Sequence, residues 1–402
     1  MDSTTRRHGI DAYRLRFSGT GGEYFRVWIV NLLLSIITLG LYTPWARRRT
    51  ARYFYDHTQI AGSPLEFTAP LRKMVVSFIL FALLYLAYKI AAETGQDTMV
   101  LVFIIGAAAL APYIWGSAMR FRLASTRWRG LQLHFAASWK DVYLASWPLF
   151  LMAAIWVGIS FGLDMLAADL PAQRRSARGI PALPHLNASM IGLIALGGLL
   201  SVLCIIRVEF NYKSLLVLRA GIGQQRGRWK PVYGDFVRIW VATIVVFLLG
   251  VALILAIGTS AIYTLQAMFQ QVRGPALFIL VFLVVIGVFL GLVLASAPAR
   301  AYREARLFRL IWSNVGLGQI ARFKCDLRHW AFVRLRIKNI LLTLLTLGFY
   351  RPYARVSEYR LKADSVTLHV KGGLDQLVGE LVKQQEGLGD ALADAAGLDI
   401  VG

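Results

Sequence analysis

Six apolar runs with almost no charge leave this chain few ways to fold. They lie at Met74–Ala91, Met99–Met119, Val142–Leu163, Ala188–Ile206, Ile239–Met268 and Pro275–Ala297. About twenty apolar helical residues cross the hydrocarbon core of a bilayer. A helix in a large soluble core needs a polar outer face, and most of these runs have none. Composition agrees, with 57% hydrophobic residues, 16% charged residues and a mean hydropathy of +0.56. A soluble domain of 402 residues requires more polar surface than that. The reading is an all-α polytopic membrane protein.

A net charge of +22 raises the question of nucleic acid. Its distribution answers it. Arg47, Arg48, Arg49, Arg52, Arg72 and Lys73 precede the first run, and Arg120, Arg122, Arg127, Arg129 and Lys140 follow the second. Arg207 to Arg238 and Arg300 to Lys338 are two further basic stretches. The intervening loops, Glu93–Asp97, Asp164–Asn187 and Gln270–Gly274, are poor in Lys and Arg. This alternation is the positive-inside pattern and places the basic loops in the cytoplasm, facing anionic lipid head groups. No nucleic-acid recognition fold sits in these loops, so no nucleic-acid partner is expected.

Two shorter segments, Val27–Tyr42 and Ile337–Tyr350, are copies of one another. Thr38-Leu39-Gly40-Leu41-Tyr42-Thr43-Pro44-Trp45-Ala46-Arg47 recurs as Thr346-Leu347-Gly348-Phe349-Tyr350-Arg351-Pro352-Tyr353-Ala354-Arg355. From Arg26 to Arg47, twelve of twenty-two aligned residues are identical. Such a duplication implies repeated modules of membrane segment plus basic loop. Counting these two gives about eight hydrophobic segments. Basic residues flank both copies on both sides, so full spans conflict with the charge bias, whereas re-entrant segments keep both ends inside. Neither copy carries a continuous polar face, and the reading taken is two full but short spans.

The basic loops share a second pattern. Thr58-Gln59-Ile60-Ala61-Gly62-Ser63-Pro64-Leu65-Glu66-Phe67 aligns with Thr126-Arg127-Trp128-Arg129-Gly130-Leu131-Gln132-Leu133-His134-Phe135. Weaker copies run from Pro298 to Phe323 and from Arg360 to Val370. Each reads as a glycine turn followed by apolar/polar alternation, which is the period of a strand. Isolated hairpins are marginal, so a small cytoplasmic β-rich module assembled from these loops is expected. The chain accordingly divides into 1–73 (strand, short membrane segment, basic hairpin loop), 74–141, 142–238 and 239–330 (membrane hairpin plus basic loop each). The C-terminal repeat, 331–371, and an acidic tail, 372–402, complete it. In that tail Leu374, Leu377, Val378, Leu381 and Val382 have helical spacing.

The usual reaction-bearing motifs are missing. The six histidines have no metal-ligand spacing, the two cysteines suggest neither a zinc site nor a structural disulfide, and no HExxH or GxSxG occurs. Gly19-Thr20-Gly21-Gly22 lacks the lysine of a phosphate-binding loop and reads as a turn. No cleavable signal peptide or lipidation motif is expected. The expectation is therefore a protein that is not an enzyme and has no cofactor. Two sets of residues stand out as candidate sites. Asn31 and Asn339, in matching places of the repeat, form either a paired polar site at the repeat interface or, as favoured, interhelical hydrogen bonds. Arg47, Arg48 and Arg49 are candidate contacts to anionic lipid, with a generic retention signal as the simpler reading.

Phe17-x-Gly19, Glu23-Tyr24-Phe25, Asn31-Leu32-Leu33-Leu34, the Thr38-to-Ala46 element, Tyr53 and Thr58-x-Ile60-x-Gly62-x-x-Leu65-x-Phe67 together resemble the signature of the YjgN family. These are bacterial inner-membrane proteins of unknown function, and the resemblance spans about Tyr13 to Val370. It implies an inner-membrane, multi-pass protein and supplies no activity or catalytic residue. The expected function is binding or passing a lipid or small solute. The alternative is a scaffold whose basic cytoplasmic face recruits a protein or anionic lipid.

Overall fold

The computed structural model describes residues 10–168, 187–223, 225–271, 274–319, 321–373 and 378–379. The chain begins with strands β1 (Ile10–Arg14) and β2 (Arg16–Phe17), helices α1 (Gly21–Ile37) and α2 (Thr43–Asp56), and strands β3 (Thr58–Ile60) and β4 (Ser63–Phe67). Helices α3 (Leu71–Glu93) and α4 (Asp97–Ala124) lead to β5 (Thr126–Trp128) and β6 (Leu131–Phe135). Helices α5 (Trp139–Ala145), α6 (Trp147–Ala168) and α7 (Ala188–Arg219) lead to β7 (Ala220–Ile222) and β8 (Gln225–Arg228). Next come α8 (Tyr233–Gln271), α9 (Pro275–Asn314), β9 (Gly316–Leu317) and β10 (Ala321–Cys325). Last are α10 (His329–Leu345), α11 (Arg351–Ala363) and β11 (Val366–Lys371). Helical hairpins thus alternate with β-hairpins.

The strands form one sheet in the order β1-β11-β10-β9-β8-β7-β6-β5-β4-β3-β2. Every neighbouring pair is antiparallel. The outermost two, β1 and β2, are separated in the chain only by Leu15, whose N–H donates to the Val366 carbonyl at 2.9 Å. The order therefore closes on itself as a barrel, and closure removes the unpaired edges that invite aggregation. Tight turns join β3 to β4 and β5 to β6. Their central residues, Ala61-Gly62 and Arg129-Gly130, all have positive φ, the geometry that matches strand twist in a two-residue hairpin. Because the tight turns alternate with the helical connections, the pairs α1–α2, α8–α9 and α10–α11 leave by the other rim. The strands expected in the loops are part of this larger closed sheet, in which β1 and β2, ahead of the first repeated segment, also take part.

The barrel is filled rather than hollow. Tyr13, Leu65, Trp128, Leu131, Ile222, Ala321, Phe323, Leu368 and Val370, drawn from seven strands, pack into one cluster. Val378 also packs against it; Leu374, Leu377, Leu381 and Val382 of the expected tail helix lie outside the described residues. So does most of the loop between α6 and α7.

The chain forms two compact units. One comprises Met1–Tyr85, Arg120–Phe135 and Ala220–Gly402 and holds the barrel. The other comprises Leu86–Met119 and Ala136–Arg219. In the latter, Trp115 stacks on Tyr212 with centroids 4.1 Å apart, and Asn211 Nδ2 donates to the Ala145 carbonyl at 2.9 Å. The expected segment Val142–Leu163 is interrupted there. Helix α5 stops at the buried Ser146, whose hydroxyl meets the Tyr212 hydroxyl at 2.8 Å, and Pro148, which lacks an N–H, sits at the start of α6.

Among the described residues, six helices are long and apolar enough to cross a membrane: Leu71–Glu93, Asp97–Ala124, Trp147–Ala167, Ala188–Arg219, Tyr233–Thr259 and Phe282–Asn314. Of the about eight expected segments, six are helices of this kind, and the two repeated segments form shorter hairpins instead. Helix α1 runs 17 residues, turns, and comes back as α2. The strands before and after this pair, β2 and β3, are hydrogen-bonded to each other, so the chain leaves and returns on one side. Helices α10 and α11 do the same between the paired strands β10 and β11.

Candidate functional site: two helical hairpins with exposed apolar tips

Helix α1 starts at a reciprocal cap. The Glu23 N–H donates to Thr20 Oγ1 at 3.3 Å, and the Thr20 N–H donates to Glu23 Oε2 at 3.0 Å. The Gly19-Thr20-Gly21-Gly22 stretch is thus a helix-start turn. The backbone N–H of Thr20 and its hydroxyl hold the Glu23 carboxyl below its usual range. The Tyr53 hydroxyl donates to the Thr20 carbonyl at 2.7 Å. Burial, reinforced by the Glu23 carboxylate, pushes that phenol up to about 12. At Gly21 any Cβ would run into the Tyr353 ring, so glycine lets α11 approach.

The repeated Thr-Leu-Gly-x-Tyr element builds each turn. Thr38 Oγ1 donates to the Leu34 carbonyl at 2.7 Å and accepts from the Tyr42 N–H at 3.0 Å. Thr346 Oγ1 repeats this with Leu342 at 2.7 Å and Tyr350 at 2.9 Å. The Gly40 and Gly348 N–H groups reach back to Ser35 and Thr343, both at 2.7 Å. Leu39 and Leu347 have φ of 49° and 50°, a left-handed conformation that costs a non-glycine residue roughly 1–2 kcal/mol. Their side chains are 94% and 90% exposed. Ile37, Leu41, Leu345 and Phe349 are exposed beside them. Tyr42–Trp45 and Tyr350–Tyr353 stack at the start of the returning helices, with centroids 6.0 and 5.6 Å apart.

The two asparagines hold these hairpins shut. Asn31 Nδ2 donates to the Ala46 carbonyl at 3.3 Å, and Asn339 Nδ2 donates to the equivalent Ala354 carbonyl at 3.2 Å. Asn31 also reaches Thr50 at 3.5 Å, while Asn339 reaches Ser357 at 3.1 Å and Glu358 at 3.0 Å. Each asparagine serves its own repeat, and among the described residues no hydrogen bond joins the two. Both carboxamide oxygens are buried without a partner.

The repeats meet through α1 and α11 instead. Phe25 lies against Tyr353 and Trp28 against Phe349, with centroids 5.9 and 6.3 Å apart. Arg355 Nη1 donates to the Tyr24 hydroxyl at 3.1 Å. On the other side of the second hairpin is an ion network that sequence reading missed. Arg336 Nη2 contacts Glu304 Oε2 at 2.7 Å, Lys362 Nζ contacts Glu304 Oε1 at 2.8 Å, and Arg336 Nε lies 2.9 Å from Glu358 Oε2. That last contact is a charge pair rather than an aligned hydrogen bond. Burial raises the Glu358 carboxyl above its usual range, against the pull of Asn339 and Arg336. The available signal was Glu304, a rare acid within the basic stretch Arg300–Lys338. The first repeat has no such network, since Trp28 and Thr50 stand where Arg336 and Glu358 stand.

Arg47, Arg48 and Arg49 all lie on α2. Arg47 and Arg49 are exposed and Arg48 is half-buried. Arg49 Nη1 lies 3.5 Å from the Tyr42 hydroxyl, and none of the three has a carboxylate partner among the described residues. No group of three or more His, Cys, Asp or Glu able to hold a metal occurs among the described residues. Cys204 and Cys325 are both free and buried.

The family described as bacterial protein of unknown function, DUF898, matches residues 12–395. The chain is also similar to inner membrane protein YjgN of Escherichia coli O157:H7, 27% identical over 152 residues, 38% of either chain. The same protein of Salmonella typhimurium is 27% identical over 147 residues, 36% of this chain and 37% of the relative. That of Escherichia coli K12 is 25% identical over 188 residues, 47% of this chain and 46% of the relative. The matched regions thus cover less than half the length of these relatives. No solved structure matches the chain. Six membrane-capable helices and inner-membrane relatives agree with a match across most of the sequence: the chain is a multi-pass inner-membrane protein and belongs to the DUF898 family.

Proposed function

We propose that the protein is a non-enzymatic lipid-binding component of the inner membrane, whose two hairpins dip into the cytoplasmic leaflet and engage lipid there. The observation that carries this reading is the pair of tip leucines, Leu39 and Leu347. Each is about nine-tenths exposed on a backbone that disfavours a branched side chain. A water-facing turn in this conformation favours Gly or Asn. Leucine is favoured where the surrounding medium is acyl chain, and each fully immersed leucine gains about 1.5–3 kcal/mol, enough to offset the backbone cost. Tyr42, Trp45, Tyr350 and Tyr353 then lie at interface depth, and Arg47 and Arg49 at head-group depth. The apolar tips account for lipid contact; passing a lipid or small solute between leaflets is the further step this reading allows.

The test places an environment-sensitive fluorophore at Leu39→Cys or Leu347→Cys in nanodiscs, with Cys204 and Cys325 replaced. Emission typical of hydrocarbon and quenching by acyl-chain nitroxides are expected. The Leu39→Glu/Leu347→Glu variant should lose co-purifying lipid by native mass spectrometry. Water-like emission at both tips, with unchanged lipid retention in that variant, would defeat the reading.

A second reading, recruitment of a protein by the basic face, is favoured by the exposed, carboxylate-free Arg47 and Arg49. Under it, Arg47→Glu/Arg49→Glu abolishes partner capture while tip emission is unchanged.

A further inference from the structure

A cavity of about 380 Å³ opens between the first turns of α8 and the last turns of α9. Arg238, Arg306 and Arg309 line it, together with Asp235, Ser313 and the buried Ile239. Its charges do not balance. The Asp235 carboxylate lies 3.6 Å from Arg238, which leaves Arg306 and Arg309 without an acidic partner among the described residues. The Arg306 guanidinium instead lies 5.9 Å from the Tyr302 ring centroid. The first turn of α8, a 39-residue helix, lies at the same cavity and adds the positive end of its dipole. Three guanidinium groups around one opening repel one another unless an anion sits between them, and a planar fork of N–H donors matches phosphate oxygens.

We propose that this cavity is a binding site for a phosphate group carrying one to two negative charges, as borne by an anionic phospholipid head group or a soluble phosphate. Arg306 and Arg309 supply the forks, Ile239 forms an apolar floor, and Ser313, whose hydroxyl donates to the Cys325 carbonyl at 3.3 Å, stands at the rim. The position suits a lipid. The apolar part of α9 ends near Ala299, so Arg306 and Arg309 stand about two to three turns beyond it. One turn further in, Arg303 lies 4.4 Å over the Trp240 ring, an aromatic at interface depth. The site is separate from the hairpins and stands whether or not their tips enter the leaflet.

The test uses the purified, delipidated full chain. Native mass spectrometry with phosphatidic acid against phosphatidylcholine reads lipid preference, and thermal shift with inorganic phosphate against chloride at equal ionic strength reads soluble anion. The expected result is a preference for phosphatidic acid that falls about tenfold in Arg306→Gln/Arg309→Gln, is partly kept in Arg306→Lys/Arg309→Lys, and falls again in Ser313→Asp, which retains both arginines. Preference without phosphate protection identifies the lipid head group; protection by phosphate identifies the soluble source. An equal preference in wild type and all three variants overturns the proposal, as does no discrimination by wild type in either arm. The Leu39→Glu/Leu347→Glu variant should leave the preference intact, which separates failure here from failure of the hairpin reading.

Discussion

Asn31 and Asn339 do the same work with different company. Each ties the outgoing helix of its hairpin to a carbonyl of the returning one, but only Asn339 also donates to a half-buried carboxylate, Glu358. A leucine at position 31 removes the hydrogen bonds to Ala46 and Thr50 together with one unsatisfied oxygen, so the net loss is small, about 0.5–1.5 kcal/mol. At position 339 the same change strips the half-buried Glu358 of a donor and leaves its carboxyl less well paired, at about 1–3 kcal/mol. Thermal unfolding in detergent should therefore rank Asn339→Leu below Asn31→Leu; equal midpoints would contradict the asymmetry. The repeat made both asparagines visible in the sequence. Their separation into two hairpins was not, because equal position in a repeat says nothing about which copy supplies the partner.

At the scale of elements, β6 carries a titratable group into the barrel wall. His134 is paired with Gly221 of β7, and a side chain at Gly221 would meet the imidazole. Burial, with the Arg226 charge adding to it, holds the His134 imidazole below its usual value. The folded state therefore resists protonation, and stability present above about pH 6.5 is lost as pH falls through that value toward the lower folded one. His329, also lowered by burial and by Arg306 and Arg309, acts in the same direction. Unfolding midpoints between about pH 7.5 and 5.5 should fall less steeply in His134→Gln than in wild type. An unchanged slope would remove His134 from the account. Alternation at Leu131, Leu133 and Phe135 made this strand legible, whereas β9 has only two residues and is defined by its neighbours β8 and β10.

For the whole molecule, barrel closure determines the topology. Because β1, β2 and β11 belong to the barrel, the segments bearing Arg16, Glu66 and Lys324 must lie on one side of the membrane. With Cys204 and Cys325 replaced by serine, Arg16→Cys, Glu66→Cys and Lys324→Cys should react with an impermeant maleimide only after the cells are permeabilised. Thr94→Cys, in the turn between α3 and α4, should react in intact cells. Labelling of Arg16→Cys from outside would mean that the first hairpin crosses the bilayer after all.

The membrane class, the six long apolar runs, the duplicated segment and the β-turns of the basic loops all follow from the sequence, because each depends on residues close together in the chain: about twenty apolar residues in a row, or positive-φ glycines between alternating strands. Tertiary structure decided what depends on distant residues. Val27–Tyr42 and Ile337–Tyr350 are as apolar as a short span, and only the pairing of β2 with β3 and of β10 with β11 makes them turn back. The closed barrel rests on contacts between residues more than 300 positions apart, such as Leu15 with Val366. The Glu304–Arg336–Glu358 network likewise joins three helices. No local pattern encodes such pairings, since a strand or an ion pair is completed by whichever partner the fold brings to it.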